Sequence, residues 1–424
     1  MNNNIYIIQD GETINKTIVE IFKNDLEIGD INLKNDIYFS NFVGLIFNKN
    51  NVLVSFPKKF YSSQKLQSFY LPISNNKEIN NDIQILYKLM KKSVNRNIKN
   101  NSGEEILDKD SFPLDSFNYI YEYFLKYGLF FEKNEISNYG NKGKIDWKKT
   151  FNKSSIIVNN GNVIYLPLVV KKQNHKYVFL SKCMSYVITL VSDKFKILQK
   201  LQKPNLYIKD INWNNSKAII IKLQNYYQSV FKDREKLLIT HLINIFKHKS
   251  SNDNSLKLKT KTFELIFEDI LLEFLNFNFI NMDKDGFIKF SEKKLNITTN
   301  FKKEKFYPDF RKKHGRRIEP DFYLEKMGCR YIFDSKYYLK VNELNYKQIS
   351  YYFLLKNYHK ANINTTYNLL LLPTERENND IQNKKVHFKF NDDYNDNESD
   401  FFINEQYINI KFLMLNYINQ VEIR

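Results

Sequence analysis

The sequence predicts a mixed α/β protein in two parts, a strand-and-helix region over residues 1–250 and a second part over residues 251–424. Apolar residues switch repeatedly between strand-like alternation and helical spacing along the 424 residues. A small polar stretch, Ser250-Ser-Asn-Asp-Asn-Ser255, reads as an interdomain linker. Beyond it the pattern settles into the order α-β-β-β-α-β. Hydrophobic residues at 42% and charged residues at 26% exclude wholesale disorder.

From Ile5 to about residue 70, short alternating runs such as Asn51-Val-Leu-Val-Ser-Phe56 predict a strand-rich start. Helical spacing follows over residues 80–95, then a polar break at Asn97-Ile-Lys-Asn-Asn-Ser-Gly103 and an aromatic-rich helix over 117–127. Between Ser155 and Val170, Asn160-Gly161 separates two β-branched runs, a hairpin signal because type I′ turns need positive φ. Two long helices are predicted over about 177–202 and 217–247. In the second part, Phe263, Ile266, Phe267, Ile270, Leu271 and Phe274 share one helix face. Strands are expected at 286–290, 319–325 and 330–336, a helix over 343–358 and an apolar strand over 367–373. The acidic, Asn-rich stretch 391–400 reads as a surface loop.

Lys and Arg number 65 against 47 Asp and Glu, a net charge of +18 that would draw phosphate polymers at long range. The same excess also arises in any Asn-, Lys- and Ile-rich chain, so charge alone is a prior for nucleic acid and no more. Cys183 and Cys329 stand far apart with no CxxC or Cys-His cluster, which argues against a disulfide scaffold or structural zinc and for cytoplasmic thiols. Neither a signal peptide nor an apolar run of about 18 residues is present, so secretion and membrane spanning are not expected.

The sharpest signal is Ile318-Glu-Pro-Asp-Phe-Tyr-Leu-Glu-Lys-Met-Gly-Cys-Arg-Tyr-Ile-Phe-Asp-Ser-Lys-Tyr337. Two strand-like runs join at a turn over 326–328, and antiparallel pairing would bring Asp321 beside Asp334. Buried like charges at that spacing repel unless a cation lies between them, which points to a hard divalent metal held through oxygen. Lys336, two residues beyond Asp334, leaves the same strand face, so its ammonium joins the carboxylates and can act on water and phosphate. A bare D-x-K is commonly just a surface ion pair. The apolar run before it, the Pro-Asp that opens the upstream strand and an earlier acidic helix favour the site.

These residues resemble the PD-(D/E)xK nuclease superfamily, whose core has the α-β-β-β-α-β order read above. Phe333-Asp-Ser-Lys-Tyr-Tyr338 with Tyr346-Lys-Gln-Ile-Ser-Tyr-Tyr352 is similar to the closing motifs of McrC subunits of GTP-dependent restriction systems and their LlaJI-type relatives. Gly143-Lys-Ile-Asp-Trp-Lys-Lys-Thr150 also resembles the LlaJI branch. The nuclease resemblance covers about residues 261–375. It implies Mg²⁺-dependent phosphodiester hydrolysis of double-stranded DNA in a restriction system, with a separate AAA-type GTPase as partner. Asp321, Asp334 and the Ser335 carbonyl would then hold Mg²⁺, with Glu268 completing the acidic site and Lys336 assisting the attacking water. Phe267-Glu-Asp-Ile-Leu271 looks like the McrC helix motif and favours Glu268 over Glu264, one turn earlier. Gln348 and Tyr352 share a helix face and are expected near the site or a backbone phosphate. A basic run, Arg311-Lys-Lys-His-Gly-Arg-Arg317, makes Lys312, Arg316 and Arg317 candidate DNA contacts. A catalytically silent DNA-binding or adaptor subunit, or a repair or transposition nuclease of the same superfamily, remain alternatives.

Two rival motifs give way. Asn281-Met-Asp-Lys-Asp-Gly-Phe-Ile-Lys-Phe-Ser-Glu292 matches EF-hand spacing, yet its exit lacks helical periodicity, so a hairpin turn at 283–286 is preferred. Gly140-Asn-Lys-Gly-Lys144 lacks phosphate-loop spacing, and Asp146 follows where a hydroxyl is needed, so nucleotide hydrolysis is assigned to the partner.

Overall fold

In the computed structural model, the described residues are 4–419 except 49–50, 70, 74–75, 101–106, 109–110, 160, 207, 252–255, 296–297, 312–316, 342, 357, 359–362, 392 and 394–400. The chain divides into two compact units, Met1–Phe112 with Asn254–Arg424, and Pro113–Asp253. The boundary expected near residue 250 therefore marks the end of an insertion, and residues 1–112 belong with the C-terminal part. The cause is long-range pairing. Strand Leu256–Thr260 lies antiparallel beside Val43–Asn48, in a sheet completed by Asn51–Phe56 and Asn4–Gln9. Gly44 makes that pairing possible: a Cβ there would lie 2.2 Å from the Leu258 carbonyl, and its φ is +144°.

A charge cluster secures the same strand. Oxygens of Glu27, Asp30 and Asp108 lie within 4.8 Å of one another. The fully buried Lys259 ammonium fills their midst, 2.7 Å from Glu27, 2.6 Å from Asp30 and 3.2 Å from Asp108. Burial opposes the ammonium, but bonds to Asp30 and Glu27 outweigh it and raise its pKa.

Within the same unit a second sheet has the order Phe322–Lys326, Cys329–Ser335, Thr365–Thr374, Phe402–Asn409, Lys384–Lys389. Helix Tyr346–Lys356 connects its second and third strands, which run parallel. Helix Phe263–Asn278 buries the six apolar residues expected on its inner face. The strand expected at 286–290 does not join the larger sheet: Ile288–Phe290 pairs with Phe279–Met282, which was not foreseen, in a separate small hairpin, so the first strand of the expected α-β-β-β-α-β order lies outside that sheet. The hairpin turn falls at 283–286 as expected. Asp283 caps it by accepting from the Asp285 and Phe287 amides, and it pairs with Lys384 at 2.7 Å.

The Pro113–Asp253 unit contains helices Leu114–Tyr127, Phe179–Lys194, Ser216–Ser229 and Asp233–Ser251. The helix expected over 217–247 is broken because Val230 adopts an extended backbone and Asp233 and Glu235 begin a new first turn, where acids favour a helix start. The helix expected over about 177–202 is shorter, running from Phe179 to Lys194 with a tight turn to Ile197. The foreseen hairpin pairs Ser155–Asn159 with Asn162–Leu166. In the other unit, helix Lys77–Asn100 runs into the expected break at 97–103, whose remainder lies outside the described residues. The linker at 250–255 and the acidic stretch 391–400 also lie largely outside them. No helix among the described residues is long and apolar enough to cross a membrane.

Lys259→Met removes the cation while keeping an apolar stem of similar length, which leaves Asp30 buried with less compensation. Urea unfolding should show a loss of about 3–5 kcal/mol, whereas a loss below about 1 kcal/mol would mean that the cluster does not secure the strand.

Candidate active site

The turn between the two carboxylate-bearing segments is made by Met327 and Gly328, at φ +50° and +73°. Phe322 pairs with Phe333 and Lys326 with Cys329. Continued by one residue, that register sets Asp321 opposite Asp334. Asp334 is fully buried and Asp321 nearly so. Asp321 Oδ2 accepts from the Ser335 amide at 2.9 Å and from the Ser335 hydroxyl at 3.2 Å. Burial, then Asp334, then Glu268 push the Asp321 carboxyl up to about 7, against the pull of the Ser335 amide. Burial also acts to raise Asp334, but Lys336, Lys347 and the hydrogen bond with Asp321 outweigh it and hold Asp334 below the usual range. The pair thus shares one proton, with the charge on Asp334.

Lys336 donates to Asp334 Oδ2. Lys347, on the first turn of helix Tyr346–Lys356, reaches Asp334 Oδ1 at 3.5 Å. Glu268 faces this group from helix Phe263–Asn278 and pairs with Lys303 at 3.3 Å. Although burial opposes it, the Lys303 ammonium is held high by Glu268, Asp321 and Glu319. Glu264, one turn earlier, is exposed instead. Tyr337 anchors that helix: its ring packs 5.1 Å from Phe263 and 5.6 Å from Phe267, and its hydroxyl accepts the Lys58 amide at 2.8 Å.

The remaining sequence candidates lie elsewhere. Gln348 is fully buried and donates from Nε2 to the Ile332 carbonyl at 2.6 Å, tethering its helix to the sheet. Tyr352 packs on Phe401 at 4.4 Å within an apolar cluster, away from the carboxylates. The helix turns Lys347 and Tyr351 toward the acids, and Tyr351 donates to the Glu319 carbonyl at 2.9 Å. Arg317 is bonded to Glu319 at 2.8 Å. Lys312 and Arg316 lie outside the described residues. Lys303 and Lys347 are the participants that the sequence reading missed. Lys347 was visible as the residue before Gln348, with Tyr351 four positions on, whereas Lys303 carries no signal beyond its basic run.

A wholly apolar setting would neutralise both acids, and a wholly solvated one would ionise both. This site ionises one and leaves the other near neutrality, which suits it to take up a cation by releasing a proton.

A family model described as LlaJI restriction endonuclease matches residues 42–404. None of the curated proteins matches the chain. Among solved structures, the chain is similar to one described as a refined half-complex from a tetradecameric assembly of Thermococcus gammatolerans McrB AAA+ hexamers with bound McrC. Identity is 12%, coverage 98% of both chains and the TM-score 0.40. It is also similar to a cryo-EM structure of the Thermococcus gammatolerans McrBC complex, at 9% identity over 63% of this chain and 88% of that chain, with a TM-score of 0.22.

Because the Asp321 pKa is raised from 3.8 to about 7, its neutral form stabilises the metal-free fold at low pH, and that contribution is lost as pH rises through about 7. Asp321→Asn keeps the shape without the charge. Thermal unfolding in a chelator should therefore show no difference near pH 4 and a gain of about 1 kcal/mol or more at pH 8. An unchanged or lower stability at pH 8 would contradict the shared-proton assignment.

Proposed function

The chain belongs to the LlaJI restriction endonuclease family, and we propose that it is the DNA-cutting subunit of a restriction system, hydrolysing phosphodiester bonds of double-stranded DNA at a Mg²⁺-dependent PD-(D/E)xK site with a separate GTPase as partner. The observation that carries this reading is the buried Asp321–Asp334 pair with Lys336 bonded to it. Two buried carboxylates with one proton between them form a donor set of hard oxygens suited to a divalent ion. Asp321, Asp334 and the Ser335 carbonyl would hold Mg²⁺, with Glu268 beside them. Bound there, Mg²⁺ would supply Lewis-acid stabilisation of the phosphate and a more acidic attacking water. Lys336 keeps Asp334 ionised and oriented, and its ammonium opposes negative charge developing on the phosphate. Lys347 and Lys303 extend that positive rim. Arg317, Lys312 and Arg316 are assigned to the DNA backbone, where the net charge of +18 would speed encounter. The free thiols Cys183 and Cys329 suit a reducing cytoplasm.

The GTPase is assigned to a partner because Gly140–Lys144 cannot cradle phosphate in the usual way. Asp146 caps the short helix after it, accepting from the Lys149 amide at 3.2 Å, and so puts a carboxylate where a phosphate would sit. DNA recognition or partner docking, expected of residues 1–250, is assigned to the part of them that forms its own unit, Pro113–Asp253. Within it, the Ser155–Leu166 hairpin exposes Ile156, Ile157 and Val158 on one strand and Val163, Ile164 and Leu166 on the other. An isolated two-stranded ribbon gains nothing from apolar residues on both faces unless another surface covers them.

Cleavage of supercoiled plasmid by the full chain, with the partner GTPase, GTP and Mg²⁺, tests the site. Asp334→Ala should abolish cutting while plasmid binding and the unfolding midpoint stay close to wild type. Lys336→Ala should slow cutting by about 10²–10³ with Mg²⁺ affinity retained. Cutting by Asp334→Ala at the wild-type rate would sink the site assignment.

The hairpin is tested separately. Val158→Lys together with Val163→Lys, a cross-strand pair on the exposed ribbon, should leave stability within about 0.5 kcal/mol but reduce GTP-stimulated cutting at least tenfold. Unchanged stimulation would remove the ribbon from the docking surface.

A further inference from the structure

The strand Lys384–Lys389 does not run in simple register beside Phe402–Asn409. Val386 pairs with Asn404, but Phe388 pairs with Ile403, so His387 is the extra residue of a β-bulge. Bulges re-aim a side chain, and this one turns His387 inward. Its imidazole is 6% exposed and sits 2.7 Å from Glu405 Oε1. The Tyr407 hydroxyl donates to the other Glu405 oxygen at 2.5 Å. On its far side, His387 Nε2 accepts the Asn345 amide at 3.1 Å. A backbone amide can only donate, so Nε2 is unprotonated, and the ring proton is on Nδ1, directed at Glu405.

Asn345 is the residue before helix Tyr346–Lys356. Its side chain accepts the Gln348 amide at 3.1 Å, as an N-cap does, and its carbonyl accepts the Ile349 amide at 3.3 Å. Lys347, which reaches Asp334, lies between these bonded positions. A cleft of about 530 Å³, lined in part by Lys340, Glu343 and Leu344, lies along the incoming loop. Apolar packing therefore leaves that side of the helix start open. The bond to His387 ties it to the sheet on one side, and the Gln348–Ile332 bond ties it on the other.

We propose that His387 is a positioning residue for the nuclease site. Held in one tautomer by Glu405, it fixes Asn345 and thereby the first helical turn, which sets Lys347 over Asp334. The inference rests on the cleavage reaction proposed above and adds a residue on the far edge of the sheet that touches neither the carboxylates nor the DNA. A largely buried polar chain that links His387 on the edge strand to Glu405 and Tyr407 on the strand beside it is costly unless every member is satisfied, and here its outward bond ends on the backbone that begins the helix.

Single-turnover plasmid cleavage by the full chain, with partner GTPase, GTP and Mg²⁺, tests this through a double-mutant cycle. His387→Ala should slow the cutting step about tenfold to a hundredfold with plasmid affinity unchanged. His387→Gln, which can still accept from Asn345, should recover part of the rate. In a Lys347→Ala background, His387→Ala should add little, because the path through Lys347 is already broken. Multiplicative losses in the double variant, or wild-type cutting by His387→Ala, would overturn the proposal. If the wild-type chain cuts no DNA, the proposed function fails on its own, and hydrogen exchange still reads the positioning role. The Asn345 and Gln348 amides should exchange at least tenfold faster in His387→Ala, and unchanged exchange would overturn it.

Discussion

Placing two carboxylates side by side out of water is the constraint around which the candidate site is organised. Neither Asp321 nor Asp334 can be ionised there without compensation, and the groups around them supply it in graded form. The Ser335 amide and hydroxyl bind Asp321. Lys336 and Lys347 reach Asp334 from a strand and from a helix. Glu268 adds a third negative charge, partly countered by Lys303. The same unit contains a second acidic group, Glu27 with Asp30 and Asp108, and the contrast is informative. There the cation is part of the chain, since the Lys259 ammonium sits among the oxygens, so the cluster is closed to an ion and serves the fold. At the other site the two ammonium groups both engage Asp334, and Asp321, without an ammonium of its own, is pushed toward its neutral form.

The carboxylate pair was legible in the sequence because it depends on local rules. A turn containing Gly328, strand alternation on both sides and the spacing from Asp334 to Lys336 fix the geometry within about twenty residues. The preference for Glu268 over Glu264 rested on the Phe267–Leu271 motif, because the two acids lie one turn apart on roughly one face and periodicity alone does not choose between them. The later helix was harder. Gln348 and Tyr352 do share a face, but it is the inward one, where a buried Gln serves the sheet and a Tyr the apolar cluster. The face one residue earlier carries Lys347 and Tyr351. Helical periodicity alone does not say which of two adjacent polar stripes points at a site.

Long-range pairing left no trace for a linear reading. Nothing in Leu256–Thr260 announces that it will pair with a strand some two hundred residues earlier, so the first 112 residues were grouped with the inserted stretch. The break at Val230 was hidden for a local reason. Its neighbours have good helical spacing, and the restart depends on first-turn acids whose effect is small beside the periodic signal.

The insertion has an evolutionary reading. Just before the chain departs, the Asp108 amide donates to the Lys259 carbonyl at 3.1 Å and the Phe112 amide to the Lys257 carbonyl at 2.6 Å, on the strand that follows the return. Departure and return of the chain therefore lie side by side, stitched together within the unit that holds the carboxylates. A segment leaving and returning through such a closed doorway can lengthen, shrink or be exchanged for another without disturbing the register of the sheet beneath. Selection can thus remodel the inserted part while the carboxylates stay under separate constraint. A cut at residue 255 would instead tear a strand from its sheet, so the natural unit of exchange is the interior stretch of the chain and not its first half.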